Sequence, residues 1–230
     1  MIKHTCAALV IAAVSTSALA ESTKMSEKQK LSYLLGNNTA KSMISKDIDI
    51  DADTFLQGMQ DALANKKPRL SQAESNQVMM NFQASMRAKA QQKEDKLSAA
   101  NIDAGKTFFK QYKSKDGAVS LDNGIVYRVI KKGTGAQPNV NDTVVAHYTG
   151  KLVDGRVFDS SVQRGEPATF PLKNVIKGWQ EVVPMMGVGS KWEVVIPPQL
   201  AYGERGPGGI IGPNSTLVFE IELIEIKAES

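Results

Sequence analysis

Aromatic side chains recur in four segments of the last third of the chain, with one carboxylate and one phenol among them. The segments are residues 146–150 (AHYTG), 157–161 (VFDSS), 175–180 (VIKGWQ) and 200–223 (LAYGERGPGGIIGPNSTLVFEIEL). Apolar rings with few polar groups are the usual lining of a pocket for a small ligand. Each ring taken singly is more often part of a core, so the prediction of a site depends on the ordered set.

The scarcity of cysteine and histidine limits the chemistry of such a pocket. The chain has one cysteine, Cys6, and two histidines, His4 and His147. We expect residues 1–20 to be removed as a signal peptide, which would leave no thiol and a single imidazole. A disulfide, a metal centre or a Ser-His-Asp hydrolase is hard to build from what remains. If Tyr148 points into the pocket, His147 beside it on the same strand points away.

Residues 1–20 have the composition of an export signal. Lys3 is followed by an apolar run at 7–14, and the sequence ALA at 18–20 fits a cleavage site. A membrane anchor is the alternative, but the run is shorter than the ~20 residues that span a bilayer. We expect an exported protein without a transmembrane span, located in the periplasm, on the outer membrane or cell surface, or released.

Several other signals are too weak to support a ligand. The net charge is only +4, with bases and acids interspersed, so nucleic acid is not an expected partner. The aspartates at 47, 49, 51 and 53 alternate but lack the glycine and glutamate positions of a calcium loop. The glycine-rich run at 203–213 lacks the ending of a phosphate-binding loop and precedes a strand. No metal and no cofactor are therefore predicted.

The first half of the chain has the periodicity of helices. Ser26 and Gln29 fit a capping box, and the following apolar residues predict a helix over 26–46. A second helix is predicted over 53–65, with Asp53 as its N-cap. This helical unit is too small to form a stable core alone, and its apolar faces are rich in methionine.

A third, long helix is predicted from Ser71, which forms a capping box with Glu74, to residue 113. Such a helix would be about 60 Å long, at 1.5 Å per residue. Residues 87–96 carry no large apolar side chain, which is typical of a solvated bridge between domains, although disorder is the alternative. Gly105 lowers helix propensity and could act as a hinge.

From Val119 onward the apolar period changes to two. Strands are predicted over 125–131, 143–151, 191–196 and 217–226. Asp154-Gly155 is a hairpin turn signal, and one short helix is predicted over 175–183, ending at Pro184. An antiparallel sheet covered by one helix belongs to the α+β class.

The order and wording of the aromatic segments resemble the FK506-binding-protein (FKBP) family of peptidyl-prolyl cis-trans isomerases. With the helical first half, the chain most resembles the dimeric Mip-type (macrophage infectivity potentiator) branch. The resemblance implies an N-terminal all-α dimerisation domain at 21–70, a long connecting helix at 71–113 and an isomerase domain at 118–230. The last would be an antiparallel half-barrel wrapped on a short helix.

The resemblance also implies the reaction and the residues of the site. The enzyme would speed rotation about X-Pro bonds of exported polypeptides by desolvation in an aromatic pocket, with no covalent intermediate, and would bind macrolides such as FK506. The residues expected to act in catalysis are Asp159, Tyr202, Phe158, Trp179 and Phe219. Those expected to bind substrate or macrolide are Tyr148, Val175, Ile176 through its N–H, Arg164 as partner of Asp159, Ile210 and Ile211. Ala168 departs from the aromatic residue that macrolide-binding relatives often have there, which removes a wall.

Two questions stay open at this point. A homodimer through the N-terminal helices, V-shaped with two isomerase domains, is the favoured assembly, and internal packing of the methionines in a monomer is the alternative. A chaperone that uses the dimer cleft, or a surface adhesin with incidental isomerase activity, competes with the enzyme as the main function.

Overall fold

The computed structural model describes residues 25–227 and divides at Ser75 into two compact units. We call residues 25–75 the N-terminal unit and residues 76–227 the C-terminal unit. The predicted signal segment, with Cys6 and His4, lies outside the described residues. Within residues 25–227, no helix is both long and apolar enough to cross a membrane.

Two helices in the N-terminal unit begin at side-chain caps. Helix α1 (Glu27–Ser45) has the complete capping box between Ser26 and Gln29 that the sequence predicts. Helix α2 (Ala52–Leu63) is capped by Asp51, whose carboxylate accepts the N–H of Thr54 at 2.8 Å. The prediction of Asp53 as the cap is therefore wrong by two positions. Asp53 instead lies in the first turn, where a negative charge stabilises the helix dipole.

Helix α3 (Gln72–Lys113) is continuous over 42 residues. The predicted capping box is present, because the Ser71 N–H donates to Glu74 and the Glu74 N–H to Ser71 Oγ. Residues 87–96 are helical, so the alternative of disorder is wrong. Gly105 is buried inside the helix, and an added Cβ would clash with Oγ1 of Thr216. Glycine at this position permits close packing, a reason that differs from the predicted hinge.

Seven antiparallel strands form one sheet in the C-terminal unit. They are β1 (Ala118–Ser120), β2 (Val126–Lys131), β3 (Thr143–Leu152), β4 (Val157–Ser160), β5 (Ala168–Pro171), β6 (Lys191–Ile196) and β7 (Leu217–Lys227). The order is β1-β2-β6-β7-β3-β4, with β5 also paired to β3. The four predicted strands are confirmed, and β1, β4 and β5 are additional. These three strands span only three or four residues each, which is too short for an alternating apolar pattern to be recognised in the sequence.

Two short helices interrupt the strands. Helix α4 (Ser161–Arg164) follows β4, and helix α5 (Lys177–Val182) is shorter than the predicted 175–183. A 3-10 turn (Val183–Met185) continues from α5 and contains Pro184, whose missing N–H cannot continue an α-helix. The predicted hairpin is confirmed, since Asp154 and Gly155 join β3 to β4.

The apolar residues of the C-terminal unit form two clusters. The larger lies under α5 and contains Trp179, Val182, Ile196, Ile221 and Leu223, all buried, among others. The smaller joins the end of α3 to the sheet and consists of Tyr112, Val126, Val195 and Val218, with Phe108, Phe109 and Ala118 against them. The hydroxyl of Tyr112 donates to the Glu193 carboxylate at 2.7 Å. The last turns of α3 are thus an integral part of this unit.

Candidate functional site

One hollow in the C-terminal unit has a volume of about 310 Å³ and is lined mainly by rings. Its lining residues are Tyr148, Phe158, Asp159, Phe170, Asn174, Val175, Ile176, Trp179, Tyr202 and Phe219. We call it the ring-lined pocket. It brings together eight of the sequence-predicted site residues from strands β3, β4 and β7, helix α5 and the loops beside them.

Trp179 is the ring against which the others pack. Its ring centroid lies 5.5 Å from those of Tyr148 and Phe170 and 5.4 Å from that of Phe219, each at a near edge-to-face angle. Phe158 packs edge-on against Phe219 at 5.6 Å. Edge-to-face packing is one of the two preferred arrangements of aromatic pairs. The rings therefore form a rigid apolar wall, and three of them also belong to the core.

Strand register explains how the rings converge. Tyr148 and Gly150 are two apart on β3 and share one face of the sheet. Gly150 is paired with Phe219 on β7 and with Asp159 on β4. Because Gly150 has no side chain, the rings of Phe158 and Phe219 occupy the space where a Cβ would be. A glycine in a strand interior commonly marks this kind of close approach.

The only carboxylate in the pocket lining is Asp159, and it is held by two neighbours. The Tyr148 hydroxyl donates to its Oδ2, and Arg164 on α4 donates to its Oδ1 in an ion pair. Arg164 also donates to the Tyr148 hydroxyl at 3.1 Å. The expected pairing of Arg164 with Asp159 is therefore present, and the triangle fixes which way the carboxylate faces.

Two opposing effects set the pKa of Asp159. Partial burial would raise it, but the hydrogen bonds from Tyr148 and Arg164, together with the charge of Arg164, outweigh burial and hold the pKa below its ordinary value. Burial first, and then the bond to Asp159, raises the pKa of Tyr148. Asp159 is consequently ionised and Tyr148 protonated throughout the neutral range.

This balance predicts a flat pH dependence of the pocket's activity down to about pH 4, the ordinary carboxyl pKa. Folding lowers the pKa of Asp159, so its ionised carboxylate stabilises the folded protein fully above the ordinary carboxyl pKa. This contribution is lost as the pH falls through the lowered pKa. We expect Arg164→Leu to move the acid limb of kcat/KM to higher pH. Arg156→Leu, which breaks an ion pair with Asp154 at the hairpin, is the control and should leave that limb unchanged. An unshifted limb in Arg164→Leu would contradict the assignment.

Tyr202 and Ile176 supply the remaining polar groups of the pocket. Within residues 25–227, the Tyr202 hydroxyl and the Ile176 N–H have no hydrogen-bond partner. Tyr202 is 43% exposed at the rim, and Ile176 immediately precedes α5. Both donors are therefore available to a carbonyl group of a ligand.

Three predicted binding residues do not line the pocket. Arg164 reaches it only through its bonds to Asp159 and Tyr148. Ile211 is buried in the larger core cluster, and Ile210 is 41% exposed. Phe170 and Asn174 line the pocket but are absent from the predicted site. Phe170 lies two residues after Ala168 on β5 and thus shares its face, a signal that could have identified it. Its ring forms a wall of the pocket despite the small side chain at Ala168.

His147 faces away from the pocket, as the alternation along β3 predicts. Its Nδ1 lies 3.1 Å from Ser161 Oγ, in a small depression with Lys191 and Glu222. Among the described residues, no group of three or more histidine, cysteine, aspartate or glutamate side chains could hold a metal ion.

Comparison with known proteins gives a consistent family. Residues 134–224 match a family model described as FKBP-type peptidyl-prolyl cis-trans isomerase. Residues 28–129 match one described as the domain amino terminal to FKBP-type peptidyl-prolyl isomerase. The chain is 43% identical over 214 residues to the peptidyl-prolyl cis-trans isomerase Mip of Coxiella burnetii, with 93% of each chain covered. It is 42% identical over 223 residues to the outer membrane protein MIP of Legionella longbeachae, with 96% of each covered.

The fold is also that of a solved relative. The crystal structure of FkpA from Escherichia coli superposes with a TM-score of 0.73 at 40% identity. The match covers 88% of this chain and 97% of that one. Because the match covers most of both chains, the similarity includes the helices that precede the C-terminal unit as well as the ring-lined pocket.

Proposed function

The chain belongs to the FKBP-type peptidyl-prolyl cis-trans isomerases, and we propose that it twists X-Pro bonds within the ring-lined pocket above Trp179. It is an enzyme of this type, with proline-containing polypeptides as substrates. The observation that supports the location is the convergence of Tyr148, Asp159, Trp179, Tyr202 and Phe219 on one hollow.

The physical task is to lower a rotational barrier. Twisting the C–N bond costs about 18–20 kcal/mol because the planar amide has partial double-bond character. The twisted amide is less polar than the planar one, so a pocket that excludes water favours the transition state over the ground state. An acceleration of about 10⁶-fold needs ~8 kcal/mol of such differential binding. Rigid rings and a few aimed hydrogen bonds are suited to that demand.

Each polar group has a proposed role. Asp159, ionised and fixed by Tyr148 and Arg164, would face the rotating imide and stabilise the change in its polarity. Tyr202 and the Ile176 N–H would hold the carbonyl groups on either side, since neither has another partner among the described residues. No group would form a covalent bond to substrate.

The test is a protease-coupled assay on a short X-Pro peptide, with FK506 as a competing ligand. We expect catalysed isomerisation that FK506 reduces, because a macrolide would occupy the same pocket. Catalysis without inhibition would contradict only the proposed macrolide binding. A folded protein that gives no rate above the uncatalysed reaction would remove the enzymatic role and favour the chaperone alternative.

We also propose that the N-terminal unit binds a second copy of itself. Neither α1 nor α2 contains a buried residue. Leu31, Leu34 and Leu35 of α1 are each more than half exposed, and Leu56, Met59 and Leu63 of α2 are exposed as well. Contiguous exposed apolar patches mark surfaces that bind a partner, and two-fold symmetric dimers are the commonest soluble assemblies.

Placing a charge in this face should dissociate the dimer. We expect Leu35→Asp to shift sedimentation from dimer to monomer at micromolar concentration, because an unpaired carboxylate would be buried. Ala40→Asp, about half a turn away around α1 and exposed, is the matched control and should remain dimeric. Peptide turnover per chain should be unchanged in both, since the pocket lies in the C-terminal unit. A monomeric wild-type protein would refute the dimer.

The location outside the cytoplasm remains a proposal. It is supported by the export-type composition of residues 1–20 and by the name of the Legionella longbeachae relative, an outer membrane protein. N-terminal sequencing of the protein from a periplasmic extract should begin at Glu21. An unprocessed N-terminus would contradict the export signal.

A further inference from the structure

Two side chains of helix α3 are hydrogen-bonded to the loop that follows Tyr202. Ser98 Oγ accepts the side-chain N–H of Asn214 at 2.8 Å. Asn101 Nδ2 donates to the Pro213 carbonyl at 2.7 Å and to Ser215 Oγ at a longer 3.4 Å. All these groups lie in the C-terminal unit and are at least partly buried. Hydrogen bonds in such places are protected from competition by water.

The same loop residue continues the connection to the pocket. The backbone N–H of Asn214 donates to the carbonyl of Gly203 at 3.0 Å, and Gly203 directly follows Tyr202. Asn214 has a left-handed backbone (φ 52°), a conformation that asparagine tolerates better than most residues. Asn214 is thus bonded to α3 through its side chain and to Gly203, the neighbour of Tyr202, through its backbone N–H.

Helix α3 is itself fixed where it makes these bonds. Ser98, Asn101, Gly105, Phe108 and Tyr112 follow the i, i+3, i+4 spacing of one helix face. Gly105 packs closely on Thr216, and Phe108 and Tyr112 belong to the smaller core cluster. The last turns of this face make apolar contacts with the sheet, and the turns before them make hydrogen bonds to the loop. The helix therefore acts as a rigid support.

The loop needs such a support. Between Tyr202 and Asn214, four glycines (203, 206, 208 and 209) have positive φ, and residues 204–210 are largely exposed. Glycine loses more conformational freedom on ordering than any other residue. A loop that is already ordered by the helix pays less of that cost when a ligand binds.

We propose that Ser98 and Asn101 are positioning residues for the isomerase reaction, acting through Asn214 and Gly203 to hold the Tyr202 hydroxyl in place. The proposal rests on the proposed role of Tyr202 as a carbonyl donor. It means that the connecting helix, beyond carrying the isomerase domain, forms part of the support of its substrate site.

The kinetic consequence is distinct from a loss of stability. If the loop is released, only a fraction of molecules hold Tyr202 in the binding position, and the apparent affinity falls by that fraction. We expect Ser98→Ala combined with Asn101→Ala to raise KM about three- to tenfold with kcat nearly unchanged. A general loss of folded protein would instead lower the apparent kcat and leave KM unchanged.

The test is a double-mutant cycle with Tyr202→Phe in the full chain. The helix double variant, Tyr202→Phe and their combination are assayed on one X-Pro peptide, at a temperature well below each Tm. Thr107→Ala, which removes an exposed hydroxyl from the same helix, is the control and should leave KM unchanged. If the helix acts through Tyr202, its effect on KM should disappear in the Tyr202→Phe background.

The outcomes separate the two proposals. An unchanged KM in the helix variant, with a clear defect in Tyr202→Phe, would overturn the positioning role and leave the role of Tyr202 intact. A KM effect of equal size in both backgrounds would also overturn it, because the helix would then act elsewhere. Unchanged kinetics in Tyr202→Phe would show that Tyr202 has no role in the pocket, which would overturn both proposals.

Discussion

Changing Asp159 to asparagine should lower kcat/KM by about 10- to 100-fold, or roughly 1.4–2.7 kcal/mol of transition-state stabilisation. The side chain keeps its size but loses its charge, so Arg164 loses its ion-pair partner and the Tyr148 hydroxyl keeps only a neutral acceptor. A hydrogen bond to a charged group contributes about twice as much as a neutral one. The loss should fall on kcat, because the carboxylate is proposed to act on the twisted imide.

The measurement is steady-state isomerisation of one X-Pro peptide, together with thermal unfolding. Asp154→Asn is the matched control, since Asp154 lies in the same hairpin and pairs with Arg156. That variant should keep full activity. Equal kinetics for Asp159→Asn and wild type would show that the pocket works by ring desolvation alone. A loss of activity that follows a large fall in Tm would assign Asp159 to stability.

The elements that the sequence predicts well are those with a local cause. The capping boxes at Ser26 and Ser71 depend on residues three apart, and both are present. The long helix survives its polar stretch because alanine, glutamine, lysine and glutamate have high intrinsic helix propensity. The four longer strands likewise have a local signal, because they are rich in β-branched and aromatic residues.

The errors arise where several residues could serve equally or where the cause is distant. Asp51 and Asp53 are equally good caps by type, and only the path of the chain selects Asp51. The short strands β4 and β5 exist because they pair with β3, a contact that no local pattern reveals. The sequence predicts a hinge at Gly105, whereas the structure packs this glycine against Thr216, more than a hundred residues away.

The site divides in the same way. The family pattern marks Asp159 and every ring of the pocket except Phe170, and these residues share the pocket. The sequence does not predict the support of the site, because neither segment alone indicates that Ser98 and Asn101 contact residues 213–215. A serine and an asparagine on a polar helix face are normally solvated. Only the packing of the helix gives them a function.

A single methyl group at Gly150 should impair both the fold and the pocket. In Gly150→Ala the new Cβ would lie 2.5 Å from the Phe158 ring and 2.9 Å from the Phe219 ring. Real Cβ atoms do not approach so closely, and both rings are held edge-on, Phe219 against Trp179 as well. The rings must therefore move, and overpacking of this kind costs about 1–3 kcal/mol.

The decisive comparison is with a clash of similar size elsewhere in the same unit. In Gly135→Ala the new Cβ would lie 2.7 Å from Cβ of Val188, which does not line the pocket. Both variants should lose several degrees of Tm, but only Gly150→Ala should lose most of kcat/KM at a temperature where both are folded. Since the reaction is proposed to depend on rigid rings that exclude water, displaced rings should admit it and reduce the differential binding. If the two variants lose activity equally, the ring geometry matters for stability and not for the twisting of the bond.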